Sequence, residues 1–260
     1  MKNTALITGA SNGIGMELAR IHASKGGDLI LVARSLSKLE ELKNELEGRY
    51  KIKVYTIGKD LSVIGSAAEV FNETTAEKIQ VDYLINNAGF GDFGMFAETD
   101  PNKELQMINL NITTLTQFTK LYIQEMMKRK SGKIMNVAST AAFQPGPTMA
   151  VYCATKAYVL SFSEAISNEV NDKGITVTAL CPGATISGFQ AASAMEGSKL
   201  FDNKNLPTSK VVAEYGYRSM MKGKTVAIHG IFNYLMASSI GFMPRALVLK
   251  TARMILSKPK

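Results

Sequence analysis

The chain has 260 residues, 46% of them hydrophobic and 20% charged, and a formal net charge of +8. This composition excludes a disordered chain, and two cysteines exclude a disulfide framework and favour a reducing compartment. Basic residues occur along the whole chain with no compact run interleaved with aromatic residues, so we expect no nucleic-acid partner.

The predicted elements alternate between short apolar strands and longer helical segments. This alternation is typical of a parallel sheet covered by helices on both faces. The predicted strands are Thr4–Thr8, Leu29–Ala33, Val54–Ile57, Tyr83–Asn86, Lys133–Ala138, Thr176–Cys181 and Thr225–Ile228. The predicted helices are Gly13–Ser24, Ser37–Glu47, Ser62–Glu77, Asn102–Lys128 and Met149–Asn171, the second of them with an apolar stripe formed by Leu36, Leu39, Leu42 and Leu46.

No repeat, low-complexity tract or long linker interrupts this pattern. We therefore predict one α/β domain over residues 1–260, a Rossmann-type, doubly wound parallel sheet of about seven strands with a helical C-terminal extension. The first strand begins too early to leave room for a signal peptide, and no segment approaches the roughly 18 consecutive apolar residues of a membrane span. A cytoplasmic protein is the resulting expectation.

A glycine-rich turn joins the first strand to the first helix. It reads Thr8-Gly9-Ala10-Ser11-Asn12-Gly13-Ile14-Gly15. Glycines allow a tight turn and close approach of the backbone to a diphosphate, while the helix N-terminus supplies free N–H groups. The turn predicts a dinucleotide-binding site.

The spacing T-G-x-x-x-G-x-G resembles the cofactor-binding turn of the short-chain dehydrogenases/reductases. Three further motifs of that family follow in order: Asn86-Asn87-Ala88-Gly89 after the fourth strand, Tyr152-x-x-x-Lys156, and Pro182-Gly183 after the sixth strand. Together the four motifs cover about Met1 to Phe189. The resemblance extends to carbonyl, hydroxysteroid and 3-ketoacyl reductases, and it implies an oxidoreductase that uses a nicotinamide cofactor.

The end of the second strand bears on the choice of cofactor. An acidic residue there would bind the adenosine ribose of NAD(H), whereas a basic residue would pair with the 2′-phosphate of NADP(H). This sequence has Ala33-Arg34-Ser35, which favours NADP(H) and leaves NAD(H) possible. Asn12 stands where many NADP-preferring members have a second basic residue.

The resemblance also implies the remaining cofactor contacts. Asp60 and Leu61 would meet the adenine, and Asn87 with Ala88 and Gly89 would line the ribose side. After the sixth strand, Ser187, with Thr185 nearby, takes the place of a threonine that contacts the nicotinamide carboxamide. The full predicted set is Gly9, Ser11, Asn12, Gly13, Ile14, Gly15, Arg34, Asp60, Leu61, Asn87, Ala88, Gly89, Tyr152, Lys156, Pro182, Gly183, Thr185 and Ser187.

Tyr152 and Lys156 are four residues apart on a predicted helix, so their side chains share a face. An ammonium close to a phenol is expected to lower the phenol's pKa toward neutrality, where the tyrosine can exchange a proton with a substrate oxygen. Ser139, at the end of the fifth strand, would hydrogen-bond that oxygen. A plain packed aromatic beside a solvated lysine, and a serine that only caps the strand, are the structural alternatives.

The fourth member of the family's catalytic tetrad is an asparagine, and Asn109 and Asn111 are both candidates. They lie two apart on a helix, so only one can face the site. Asn111 fits the family's pattern better, where it would hold a water molecule next to Lys156. Cys153 is expected to be a packing residue, and the separation of His22 from His229 predicts no metal site.

Residues 187–207 occupy the position of the family's variable substrate lid. They include Phe189, Met195, Leu200, Phe201 and Leu206, and with the loop Phe143–Pro147 they suggest an apolar pocket for a hydrophobic carbonyl compound or alcohol. The tail, residues 229–260, is expected to form two helices beside the cleft or at a subunit interface. A basic amphipathic surface that touches membranes is the alternative.

The function predicted from the sequence is the NADP(H)-dependent interconversion of a carbonyl compound and an alcohol by a homodimer or homotetramer. A 3-ketoacyl thioester reductase is an alternative, for which Lys199, Lys204 and Lys210 could meet a carrier's phosphate. An alternative from another class is a catalytically silent NADP(H)-binding sensor. A sensor needs no proton donor, so the combination of Ser139, Tyr152 and Lys156 disfavours it.

Overall fold

The computed structural model describes residues 3–187, 193 and 205–256. Its centre is one parallel sheet of seven strands in the order β3-β2-β1-β4-β5-β6-β7. The strands are β1 (Thr4–Thr8), β2 (Asp28–Ala33), β3 (Val54–Gly58), β4 (Tyr83–Asn86), β5 (Gly132–Val137), β6 (Ile175–Cys181) and β7 (Val226–Ile228). The predicted fold class and all seven strands are confirmed.

Helices cover both faces of the sheet, which is why its inner strands read as continuous apolar runs. The helices are α1 (Gly13–Ser24), α2 (Leu36–Tyr50), α3 (Ser66–Ala76), α4 (Pro101–Ile108), α5 (Leu115–Arg129), α6 (Ala150–Val170), α7 (Ser209–Met221), α8 (Ile231–Ile240) and α9 (Arg245–Leu256). The last two confirm the helical C-terminal extension. None of the helices in the described part of the chain combines the length and apolar character needed to cross a membrane.

The stripe predicted for α2 needs one correction. Leu39, Leu42 and Leu46 are buried, but Leu36 is 48% exposed. Ser35 is the N-cap of this helix, so Leu36 is its first residue and lies at the margin of the core. The inward stripe therefore begins one turn later than the sequence pattern indicates.

The predicted helix Asn102–Lys128 is confirmed in its extent, from Pro101 to Arg129, but it is not a regular α-helix throughout. A π-helical turn, Asn109–Thr114, separates α4 from α5. Two polar side chains of this turn point inward and have partners: Thr114 Oγ1 donates to Leu61 O at 2.8 Å, and Asn111 binds the loop after β4. These buried hydrogen bonds offset the irregular backbone, and such turns are frequent at functional sites.

The helix α7 was absent from the sequence prediction. Thr208 caps its N-terminus by accepting a hydrogen bond from Val211 N, and its inner side packs against α1. The contact includes a buried hydrogen bond between Tyr217 Oη and His22 Nδ1 at 3.0 Å. This helix closes the face of the sheet that also carries α1.

Candidate active site

The predicted site residues meet along one edge of the sheet. Gly9 follows β1, Asn87 follows β4, Ser139 comes two residues after β5, and Pro182 follows β6. Because all strands are parallel, their carboxyl ends lie at this edge, where open α/β sheets bind ligands. The topology thus brings together motifs that are far apart in the sequence.

The glycine turn is shaped so that its backbone is accessible. Gly9 and Gly13 have φ angles of +66° and +56°, which favour glycine, and a Cβ on Gly15 would lie 2.4 Å from the Gly9 carbonyl oxygen. Asn12 uses its side chain to cap α1, since its Oδ1 accepts from Gly13 N at 2.7 Å. Backbone N–H groups at the start of α1 are positioned for an anion, so the turn fits the diphosphate of a dinucleotide.

The side chains next to the turn have different environments. Ile14 packs against the hydrophobic core, so that only its backbone belongs to the turn. Ser11 is half-buried. Cofactor binding by the residues of this segment stays a prediction, and the glycines and backbone N–H groups are the parts that leave room for it.

Asn87 braces the glycine turn from the neighbouring strand. Its Nδ2 donates to Thr8 O at 2.9 Å and to Gly9 O at 3.2 Å. Thr8 Oγ1 accepts hydrogen bonds from the backbone N–H groups of Asn87 and Ala88, at 3.0 and 2.9 Å. Thr8, the first residue of the motif, thus has a structural role that was not predicted from the sequence.

The ends of β2 and β3 form the region expected to bind adenosine. Arg34 is exposed directly after β2, and Asp60 lies two residues after β3. Partial burial would raise the pKa of the Asp60 carboxyl, but hydrogen bonds from Ser62 and the positive charge of Arg34 lower it below its usual value. The Leu61 side chain is buried in the core, so only its backbone can face a ligand.

Tyr152 and Lys156 lie on α6 with their side chains buried. Lys156 Nζ donates to Val137 O at 2.8 Å and lies 5.8 Å from the centroid of the Tyr152 ring. The Tyr152 hydroxyl is hydrogen-bonded to Ser139. The three residues therefore form one cluster between α6 and the end of β5.

Burial dominates the electrostatics of this cluster. It raises the pKa of the Tyr152 phenol, and the hydrogen bond from Ser139 opposes that rise only in part. It lowers the pKa of Lys156 to about 8. The proximity of Lys156 predicted a lower pKa for Tyr152, but the net direction is the opposite, because removal from water disfavours both charged forms. The phenol therefore stays protonated near neutral pH.

Ser139 has two structural tasks at the end of β5. Its Oγ accepts a hydrogen bond from Ala141 N at 3.1 Å and so caps the short 3-10 helix Thr140–Phe143. The same hydroxyl reaches Tyr152. The capping role proposed as an alternative is therefore present together with the contact to the tyrosine.

Asn111, rather than Asn109, faces the cluster. Its Nδ2 donates to Phe90 O and to Thr155 Oγ1, both at 3.0 Å, and its Oδ1 accepts from Phe90 N at 3.3 Å. Thr155 in turn donates to Tyr152 O at 2.8 Å, a contact that no sequence signal indicated. Asn111 thus anchors the loop after β4 to the catalytic helix.

Gly89 lies where this loop passes closest to the site. A Cβ at this position would lie 2.9 Å from Asn111 Oδ1 and 3.4 Å from Lys156 Nζ. Only glycine leaves the lysine and the asparagine in these positions. The glycine of the second motif is therefore required by the space available.

The segment after β6 runs back toward the glycine turn. Thr185 Oγ1 donates to Gly183 O at 2.9 Å, and Ser187 lies beside Gly13, 3.5 Å from the position that a Cβ on that glycine would take. Ser187 therefore lies close to the glycine turn. The predicted lid residues Phe189, Met195, Leu200 and Phe201, with Lys199 and Lys204, lie outside the described residues.

A narrow cleft leads to Tyr152 between the segments 92–107 and 148–152. Its apolar walls are formed by Phe96, Met107 and Met149. Asp92, at the cleft, pairs with Lys103 at 2.6 Å. Polar side chains, among them Thr99 and Glu104, also line the cleft, which ends at the buried Tyr152.

Cys153 belongs to the packing around the tyrosine. Its side chain is buried with Met149 and Leu256, and burial raises the pKa of its thiol to about 11. A thiol at neutral pH is not a nucleophile. Within the described residues, no group of three histidine, cysteine, aspartate or glutamate side chains could hold a metal ion.

Comparisons with known proteins agree with this geometry. The sequence model of the family described as short chain dehydrogenase matches residues 3–196. The very-long-chain 3-oxoacyl-CoA reductase-A of Danio rerio is 33% identical over 182 residues, which are 68% of this chain and 56% of that protein. The chain thus spans little more than half the length of this relative.

Two solved structures are similar over almost the whole chain. A short-chain dehydrogenase from Sphingobium yanoikuyae in complex with NADPH has a TM-score of 0.82 and 28% identity, covering 93% of this chain and 95% of that one. The bulky-bulky ketone specific alcohol dehydrogenase from Comamonas testosteroni has a TM-score of 0.78 and 29% identity, covering 93% of both chains.

Proposed function

Because the chain belongs to the short-chain dehydrogenase family, we propose that it is an NADP(H)-dependent oxidoreductase that interconverts a carbonyl compound and an alcohol. One observation carries the proposal: a buried tyrosine, hydrogen-bonded to Ser139 and next to Lys156, lies at the edge of the sheet that also carries the glycine turn. This arrangement combines a proton donor with a cradle for a dinucleotide.

In the proposed reaction, each residue of the cluster has a separate role. NADPH, when bound, supplies a hydride to the carbonyl carbon. Tyr152, protonated because it is buried, donates its proton to the carbonyl oxygen, and Ser139 hydrogen-bonds the same oxygen. Lys156 carries the positive charge that stabilises the phenolate left behind. Asn111 is a positioning residue, since it reaches the site through Phe90 and Thr155.

The preference for NADP(H) rests on charge. Arg34 is exposed after β2, where no acidic residue is present to bind the adenosine ribose, and a guanidinium suits a phosphate. The similar Sphingobium protein was solved with NADPH. The residues that would hold the cofactor are the glycine turn, Arg34 and the segment after β6.

The substrate we propose is a ketone with apolar substituents. Phe96, Met107 and Met149 line the cleft next to Tyr152, and the Comamonas relative is named for bulky-bulky ketones.

A second candidate is a 3-oxoacyl thioester, which has the same reacting carbonyl. The name of the Danio rerio relative favours it, and Lys210 is exposed near the start of α7, where it could meet a phosphate. This candidate differs from the first in requiring an anionic carrier.

The test is a panel of carbonyl compounds graded by size and polarity, including a 3-oxoacyl-CoA, assayed by oxidation of NADPH with NADH in parallel. We expect turnover of bulky apolar ketones and a higher kcat/KM with NADPH than with NADH. Preference for the acyl-CoA would select the second candidate. Comparable efficiency with both cofactors would remove the role given to Arg34.

The first prediction separates an enzyme from a cofactor-binding sensor. Tyr152→Phe should lower turnover by about 10² to 10⁴, the usual contribution of a general acid, because the proton donor is lost while the ring's packing is kept. Binding of NADPH, measured by fluorescence titration, should change little. Undiminished turnover in the variant would exclude Tyr152 as the proton donor.

A further inference from the structure

The two C-terminal helices expose an unusual amount of apolar surface. Eight large apolar side chains between residues 231 and 254 are exposed. They are Ile231, Phe232, Tyr234, Leu235, Phe242, Leu247, Leu249 and Met254, among which Ile231 is 76% and Phe242 92% exposed. So many exposed large apolar side chains on two consecutive helices indicate an interaction site in a folded protein. We call this set the C-terminal apolar surface.

The surface is held in place from its inner side. On α9, Val248, Ala252 and Leu256 are buried one turn apart, and Leu256 packs in the cluster that contains Tyr152. On α8, Asn233 Nδ2 donates to His229 O at 2.7 Å and blocks the space beside Gly183. The helices thus have an attached side and an exposed side next to the candidate active site.

The charge of this region is one-sided. Glu214 is the last acidic residue of the chain, and eight Lys and Arg residues follow it. These eight equal the net charge of +8, because the other 22 basic residues are matched by 22 acidic ones. Three of the eight, Arg245, Lys250 and Arg253, are exposed on α9 among the apolar side chains. The basic residues are spread along the chain, but their excess lies at this end.

A second copy of the chain is a poor occupant for this surface. A twofold interface would place the same patch on both sides. Arg245, Lys250 and Arg253 would then approach their own counterparts without an acidic residue of the region to pair with them. The complementary partner has an apolar interior and a negatively charged margin.

We propose that the C-terminal apolar surface lies on a membrane containing anionic phospholipids. Phe232, Tyr234 and Phe242 would enter the boundary between headgroups and acyl chains, and the three basic residues of α9 would meet the headgroups. Apolar side chains flanked by Lys and Arg form the pattern by which helices lie in a membrane interface without spanning it. The proposal does not depend on the substrate proposed above.

The experiment is flotation of the full-length protein with vesicles of phosphatidylcholine and phosphatidylglycerol, compared with phosphatidylcholine alone. We expect binding to the anionic vesicles, weakened by high salt. Each exposed basic residue near such a surface strengthens binding about fivefold. The double substitution Lys250→Glu with Arg253→Glu should therefore weaken binding at least about 25-fold, and Ile231→Ser with Phe232→Ser should also weaken it.

Matched control variants change the same residue types elsewhere. Lys25→Glu with Lys53→Glu alters the charge equally at the opposite edge of the sheet, where both lysines are exposed, and Ile64→Ser removes a side chain that is 71% exposed. Both controls should bind anionic vesicles much more strongly than the α8 and α9 variants. Circular dichroism of each variant checks that it is folded.

Three outcomes would overturn the proposal. The first is no flotation of the wild-type protein with anionic vesicles. The second is an equal loss of binding in the controls, which would indicate only a general charge effect. The third is a dimer that Ile231→Ser with Phe232→Ser dissociates while vesicles remain unbound, which would assign the surface to a second copy.

Discussion

Burial acts on the two central side chains of the site in ways that suit reduction. The phenol of Tyr152 keeps its proton because burial raises its pKa. Burial lowers the pKa of the Lys156 ammonium to about 8, so this group loses its proton more easily than a lysine in water. Near neutral pH the tyrosine is therefore an acid with a proton to give, and most of the lysine is still charged. Burial is the largest cause of both shifts, and it favours the ionisation states that the proposed reduction needs.

The second prediction concerns the pH dependence of reduction. As pH rises through about 8, Lys156 loses its proton and with it the charge that stabilises the phenolate, so kcat for carbonyl reduction should fall. Lys156→Arg keeps the charge, because a guanidinium stays protonated far above this range, and should move the alkaline limb upward. The measurement is a pH–rate profile of both proteins. A limb near pH 8 in both would show that another group titrates there.

The third prediction concerns Arg34. Its guanidinium is exposed where the 2′-phosphate of NADP(H) would lie, and a charged hydrogen bond is worth about 1.5–3 kcal/mol. Arg34→Ala should therefore lower kcat/KM with NADPH about 10- to 100-fold and leave kcat/KM with NADH almost unchanged. Lys38→Ala, a nearby exposed cation on α2, is the control. An equal loss with both cofactors would mean a structural role for Arg34.

At the scale of elements, the inner strands were predicted to within a residue because both their faces are buried, as in Leu29–Ala33. The helix α7 was not predicted, although its buried residues Val212, Ala213, Tyr217 and Met220 recur at helical spacing. The π-helical turn was not predicted either, since a pattern search assumes one period throughout. The π-helical turn depends on hydrogen bonds of Thr114 and Asn111, which leave little trace in hydropathy.

Some residues of the candidate active site could be predicted from the sequence and others could not. The motif residues could be found because they resemble the ordered motifs of the short-chain dehydrogenases/reductases, and because the parallel sheet dictates their meeting place. Thr8 and Thr155 could not, since each acts through a hydrogen bond to a neighbour's backbone or amide, and threonine is common in such positions. The predicted shift in the pKa of Tyr152 was wrong in direction, because the spacing of Tyr152 and Lys156 in the sequence does not show how deeply they are buried.

The fourth prediction concerns the contact between α1 and α7. His22 is buried between Tyr217 and Asn3 O, and burial lowers the pKa of its imidazole. Below about pH 6.5 the unfolded chain therefore binds a proton that the folded protein excludes. As the pH is lowered through this range, the free energy of unfolding should decrease, by at most about 1.4 kcal/mol per pH unit.

Urea unfolding between pH 7 and pH 5 measures this slope. The variant His22→Gln should be less stable at pH 7 and should lose less stability on acidification than the wild-type protein. His229→Gln removes the other histidine, which is only half-buried, and should alter the slope less. Equal slopes in the wild-type protein and His22→Gln would contradict the prediction.

At the scale of the whole molecule, the two halves of the chain share their cores. On one face of the sheet, Ile7 and Leu31 pack in the same cluster as Leu180 and Val212, and on the other face Leu6 and Ile30 share a cluster with Val177. The strand order places β4 directly beside β1. The strands of the N-terminal half and those of the C-terminal half are therefore hydrogen-bonded into one continuous sheet.

The fifth prediction follows from this continuity. Unfolding in urea should be one cooperative transition, with an m-value of about 3 kcal/mol per M or more for a core of this size. Circular dichroism and tyrosine fluorescence, which is observable because the chain has nine tyrosines and no tryptophan, should superimpose. Two separated transitions would contradict the prediction of a single domain.

The π-helical turn Asn109–Thr114 makes the fold more tolerant than the candidate active site to the deletion of one residue. A π-helical turn holds one residue more than the α-helical turn that would replace it. Loss of one residue within it could be absorbed by a return to regular helix, with the buried side of α5 still facing the core. Asn111, however, would rotate away from Phe90 and Thr155. A single codon deletion here would thus preserve the fold and disable the site, a short mutational route from an enzyme to a folded, inactive descendant.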